Sequence, residues 1–173
     1  MKLEKLVEEN KLFTTKEEIK KYLDENEVEG YTINDDLTVD VTGNVNINVK
    51  YAHNRLPIQF GEVDGDFMVT GGLKTLVGCP RSVGGHFNCA NNKLANLIGG
   101  PREVGGEYEC SNSGLSTLEG APREVGGDFS CRFNYIADLK YAPKIVGGNF
   151  DARHNVFYIE HSHIKIAGRF LIQ

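Results

Sequence analysis

Four groups of side chains in this chain could do chemistry, and their spacing limits what each could do. Glu107, Glu109 and Asp128 put three carboxylates on two short segments. Paired carboxylates work as general acid and base only where burial or a neighbouring charge separates their proton affinities. His154, Glu160, His161 and His163 are the one cluster of metal-ligand types, with His161 and His163 two apart and so able to share a strand face. Cys89, Cys110 and Cys131 recur at even spacing, and Cys79 directly precedes Pro80. Asp35, Asp36 and Asp40 lie close together but lack the D-x-D-x-D-G spacing and distal Glu of a calcium loop.

The elements that would position these groups come from a repeat. From Val83 the chain reads VGGHFNCANNKLANLIGGPRE, VGGEYECSNSGLSTLEGAPRE and VGGDFSCRFNYIADLKYAPKI, each copy 21 residues long. A fixed period in the twenties signals a solenoid whose coils bury their apolar faces only by stacking. Counting from Phe87, Tyr108 and Phe129, the expected inward residues are Phe87, Cys89, Leu94, Leu97; Tyr108, Cys110, Leu115, Leu118; and Phe129, Cys131, Ile136, Leu139. The first two of each set alternate as in a short strand. Weaker matches extend the frame upstream through Phe67, Val69, Leu73 and Leu76, and through Val45, Ile47 and Leu56. Downstream it continues through Phe150, Ala152, Asn155 and Phe157, and a closing strand begins at Phe170 and Ile172. That makes about six coils of about 21 residues.

In such a frame the thiols form a ladder, not a tetrahedral cluster. Adjacent thiols come within disulfide range, but buried reduced thiols acting as small apolar groups fit a reducing compartment better than zinc or bridges. The glycine pairs from Gly84-Gly85 to Gly147-Gly148 are followed by no helix and no G-K-[ST], so they are corners needing unusual backbone angles, not phosphate cradles. Pro80, Pro101, Pro122 and Pro143 bias the convex side toward extended or polyproline backbone.

Before the repeat, residues 2–13 and 16–25 carry helical patterning, the second opened by Thr15 as N-cap with Glu18 three residues on. Residues 1–30 read as a helical cap over the solenoid end. Residues 31–173 read as a hairpin around Asn34-Asp35-Asp36 plus the solenoid, the whole packed as one domain. The 173 residues are 40% hydrophobic, enough for one continuous core, and the net charge of −5 argues against a general binder of nucleic acid or anionic membrane. No apolar run spans a bilayer and MKLEKLVEEN has no signal core, so a cytoplasmic protein is expected.

The inward residues reproduce L-x-L-x-x-N-x-L-x-x-L, with Asn92, Asn134 and Asn155 at the asparagine offset and Ser113 standing in once. This resembles the short-period bacterial leucine-rich repeat. With YTINDDLTVDVTGNVNI and GAPREVGG, it looks like the small leucine-rich-repeat-like proteins of tailed bacteriophages. The resemblance implies an α+β solenoid, a right-handed coil stack with a parallel sheet on one face. It carries no common activity. The ubiquitin-ligase domain of related bacterial effectors has no counterpart in this sequence.

Function is then expected where coils differ. Outward offsets carry Ala90, Asn91, Ser111 and Asn112 early but Arg132, Phe133, Arg153 and His154 late, with Tyr135 beside them. Arg132, Phe133, Tyr135 and Arg153, helped by Glu109 and Asp151, are the candidate protein-binding residues, of types enriched in interface anchors. The expected role is a non-enzymatic, cofactor-free module of phage origin that binds a host or phage protein, in host takeover or anti-defence. A virion component is the alternative. A third reading uses Arg81, Arg102, Arg123, Lys144 and Lys165, just past the proline offset, as a convex basic ladder for nucleic acid; Glu103 and Glu124 beside it and the net charge argue against that.

Overall fold

The computed structural model describes residues 12–49, 54–156 and 164–172. Among them is the helix α1 (Lys16–Glu25), capped as its sequence predicts: the Thr15 side chain accepts from the Glu18 N–H. Its apolar stripe buries Ile19 and Leu23 in the common core, while Lys16 and Lys20 reach Asp35 and Tyr31. The expected helix over 2–13 lies almost wholly outside the described residues.

Strands β1 (Tyr31–Ile33) and β2 (Thr38–Val41) form the expected antiparallel hairpin. Three longer strands follow, β3 (Val45–Asn48), β4 (Gln59–Val63) and β5 (Phe67–Thr70). Each later coil then adds two residues to each of two sheets: β6 (Ser82–Val83) and β7 (Phe87–Asn88), β8 (Glu103–Val104) and β9 (Tyr108–Glu109), β10 (Glu124–Val125) and β11 (Phe129–Ser130), β12 (Ile145–Val146) and β13 (Phe150–Asp151), β14 (Lys165–Ile166) and β15 (Phe170–Leu171). Odd strands from β3 to β15 make one seven-stranded sheet; the even strands, with β1 at the edge, make another of eight. Every pairing beyond the hairpin is parallel. The chain is a β-solenoid of about six turns.

The convex side, expected to be extended or polyproline-like, is extended and is paired into a second sheet. The N–H groups of the segment after each proline bond the coil before, as in Arg102 N–H to the Arg81 carbonyl (2.8 Å). Stacked extended segments pair because their polar groups would otherwise go unsatisfied.

Between the sheets lies one continuous core. The strand-start aromatics stack in a column, Phe67 on Phe87, Tyr108, Phe129 and Phe150, with ring centroids 4.9–5.8 Å apart. Cys79, Cys89, Cys110 and Cys131 are free and buried, and burial raises each thiol's pKa above its ordinary value. Asn134 shows what the inward amide does. Its Oδ1 accepts from Ser113 N–H and Leu115 N–H, both at 3.0 Å, and its Nδ2 donates to the carbonyls of Cys110 and Cys131, joining two coils.

The expectation for the glycine pairs is corrected. None of Gly84, Gly105, Gly126 and Gly147 lies in the left-handed region. Instead, a Cβ on Gly105, Gly126 or Gly147 would collide with the carbonyl oxygen of the equivalent glycine one coil back. Absence of a side chain, more than backbone freedom, lets the coils approach there. Positive φ is found instead at glycines such as Gly78, Gly99 and Gly120 before the prolines, and in a column of non-glycine residues described next.

Candidate functional site

Much of the strand side turns out to be scaffold. At the position just before each strand, side chains cap the N–H of the next coil: Asp66 accepts from His86, His86 Nδ1 from Glu107, and Asp128 from Asn149. Two residues on, Asn88, Glu109 and Asp151 accept from N–H groups of their own coil, at Ala90, Ser111 and Arg153. Of the three carboxylates weighed for acid–base work, Glu109 and Asp128 are thus both committed to backbone N–H donors, and Glu107 stands 3.9 Å from His86 Nδ1. Ala90 and Ser111, expected on the surface, are buried; the Ser111 hydroxyl bonds that of Ser130 across coils.

The corner after each strand is different. Asn91, Asn112, Phe133 and His154 stack in one column, and all four have positive φ, from 51 to 60°. Left-handed backbone suits Asn, whose short amide hydrogen-bonds locally, and here Asn112 Nδ2 donates to Asn91 Oδ1 at 2.9 Å. Phe133 has no such compensation. Its ring lies parallel to that of His154 at 4.3 Å, yet Phe133 stays 54% exposed and Tyr135 68%.

Beside these rings Arg153 takes Asp151 in a two-point ion pair (Nη2 to Oδ2 2.7 Å, Nε to Oδ1 3.0 Å). Partial burial pushes the Asp151 carboxyl up, but the bonds and charge of Arg153 outweigh it and leave its pKa below the ordinary value. Arg132 shares that carboxylate only at 3.7 Å, and its Nε is buried without a hydrogen bond. Its guanidinium carbon stands 6.0 Å from the Phe133 ring centre. A shallow groove of about 570 Å³ runs along this edge, lined by Asn88, Asn91, Glu109, Asn112, Arg132 and Phe133 among others. Glu109, Arg132, Phe133, Asp151 and Arg153 thus fall in one neighbourhood, with Tyr135 two residues along the chain from Phe133. Glu109 and Asp151 serve the scaffold within it, and His154, left out of the candidate set, belongs there as the ring that stacks on Phe133.

Glu160, His161 and His163 lie outside the described residues, His154 is stacked, and among the described residues no group of three or more His, Cys, Asp or Glu could hold an ion. Asp35, Asp36 and Asp40 are spent separately, on Lys16, on Thr38, and on Asn34 and the Glu62 N–H.

On the second sheet, Arg81, Arg102, Arg123 and Lys144 do stack, through backbone bonds of 2.8–3.2 Å. The Lys165 N–H also reaches the Lys144 carbonyl, at 2.9 Å, but its side chain falls one column over. Register pairs it with Ile145, in the column that holds Glu103 and Glu124. The last coil is entered without a proline segment, so counting from the proline offset slips by one residue there.

No helix among the described residues is long and apolar enough to cross a membrane. Compared with models of protein families, with curated proteins and with solved structures, the chain matches none of them.

Proposed function

We propose that this protein is a non-enzymatic recognition module that holds a protein partner against the strand-side edge formed by Arg132, Phe133, Tyr135 and Arg153. One observation carries the reading. Phe133 and His154 sit in left-handed backbone, where Asn91 and Asn112 show what the scaffold favours, and they keep their rings in solvent. Left-handed backbone costs a residue with a Cβ roughly 1–2 kcal/mol, and an exposed ring returns little of it by stacking. Strain held at exposed aromatics beside two guanidinium groups is the pattern of a binding edge. Burial against a partner would recover the apolar area.

The test uses the scaffold's own choice as the control. Phe133→Asn with His154→Asn restores the favoured residue at both corners, so melting should be unchanged or raised by a few degrees. Proteins retained from a lysate by immobilised wild type are identified, and the affinity of one of them is measured for both forms. The variant should bind at least tenfold more weakly. Equal affinity, with both proteins folded, would show that this edge is not the binding surface.

A further inference from the structure

Along the outer side of the second sheet run two adjacent exposed columns of opposite charge, the basic one just before the strands and the acidic one at their first residues. Arg102 stacks on Arg123 with Lys144 next, and one residue along the strand Glu103 stacks on Glu124 in register. All five are exposed, and none makes an ion pair among the described residues. Arg81, at the head of the row, differs: its charge acts on Asp36. The lack of pairing has a geometric cause. Consecutive side chains on an extended strand diverge, so Arg102 and Glu103 do not meet, whereas residues in register lie about 4.8 Å apart and put like charge beside like charge. Beside the Glu column runs a furrow of about 400 Å³, bordered by Val63, Val83 and Val104 and by the bare backbone of Gly84, Gly105 and Gly126.

We propose that this face binds a second copy of the chain, the two solenoids running parallel about a two-fold axis that lies along the solenoid direction between the columns. Symmetry selects this arrangement. A two-fold along the solenoid exchanges the two columns, so each Arg column meets a Glu column; a two-fold across the face would put Arg on Arg and Glu on Glu. Arg102 then meets Glu103 of the second copy and Arg123 meets its Glu124, each contact made twice, as an isologous interface requires. The aliphatic stems of the arginines lie over the furrow, where the glycines leave room. The strip is narrow, and its attraction comes from exposed charge, so the dimer is weak and salt-sensitive.

Sedimentation velocity of the full chain tests this. In about 20 mM salt the wild type should sediment as a dimer at high protein concentration, and in about 500 mM, where screening acts within a few ångströms, as a monomer. Arg102→Glu with Arg123→Glu makes both columns acidic, and Glu103→Arg with Glu124→Arg makes both basic. Each variant alone should be monomeric, and an equimolar mixture should restore the dimer. Circular dichroism checks that both are folded; if one is not, Arg102→Gln with Arg123→Gln, which only removes charge, should still weaken the dimer at least tenfold. A wild type that is monomeric at low salt, a dimer indifferent to these substitutions, or two monomeric variants that do not pair when mixed would each overturn the proposal.

Discussion

Tyr108 shows how one atom sets its neighbours. Phe67, Phe87, Phe129 and Phe150 fill the same column, but the Tyr108 hydroxyl is buried with no hydrogen-bond partner, among the thiols of Cys89, Cys110 and Cys79, which are weak partners. Gly100 explains how the hydroxyl fits. Where other coils carry Cys79, Ala121 and Ala142 before proline, a Cβ at residue 100 would come 3.3 Å from that oxygen and 2.9 Å from Leu76 Cδ1. Tyr108→Phe should therefore stabilise the protein by about 1 kcal/mol, since it removes an unsatisfied buried hydroxyl. Gly100→Ala should cost stability in the wild type and less in the Tyr108→Phe background, since Leu76 Cδ1 and the Leu97 carbonyl at 3.1 Å still crowd the new Cβ once the hydroxyl is gone. Denaturant midpoints of the three variants check this; a destabilised Tyr108→Phe would mean that the hydroxyl is satisfied after all.

At the scale of one coil, the inward amide and the glycine pair join each turn to the next. Ser113 holds the asparagine column with a shorter side chain. Its Oγ donates to the Cys89 carbonyl and accepts weakly from Asn92 N–H at 3.4 Å, whereas Asn134 satisfies four groups. Ser113→Asn should gain roughly 1 kcal/mol in denaturant melts by completing the ladder. A loss above about 1 kcal/mol, the cost of overpacking, would show that the central coils lack room for the amide. The glycines predict the opposite sign. Gly126→Ala would drive a methyl into the Gly105 carbonyl and push neighbouring coils apart, so a loss of about 3 kcal/mol or more is expected. Tolerance of that alanine, read as an unshifted midpoint, would contradict close backbone approach as the reason for the repeat's glycines.

Across the whole molecule the four buried thiols act together. Their folded-state pKa values are raised, by burial first, above the ordinary value of 9.0. Below that value both states keep the proton and stability is complete. As pH rises past it, the unfolded chain ionises while the folded core does not, so each thiol removes about 1.4 kcal/mol per pH unit until its folded value is reached. Four of them make the solenoid alkali-sensitive, with a loss on the order of 5 kcal/mol by pH 10. Chemical melts at neutral pH and at pH 10 should show that fall, and Cys131→Ala should reduce it by about a quarter. A flat profile between the two would mean that the thiols ionise in the folded state.

The 21-residue period, the inward set, the asparagine column, the hairpin and the Thr15 cap were all legible in the sequence, because each is a local rule repeated at fixed spacing. Three features depended on contacts between residues a coil apart in the chain. Whether the post-proline segments were loose or paired hinged on how closely the backbones stack, which the glycines govern. The slip that moves Lys165 out of the arginine row appears only when strands are laid in register. The strain at Phe133 was hidden as well, since an aromatic at an outward offset reads as an exposed side chain, and only the folded backbone puts it at a φ of 54°. A linear sequence carries composition and period; angle and register belong to the stacked coils, where neighbours one turn away decide what each corner must do.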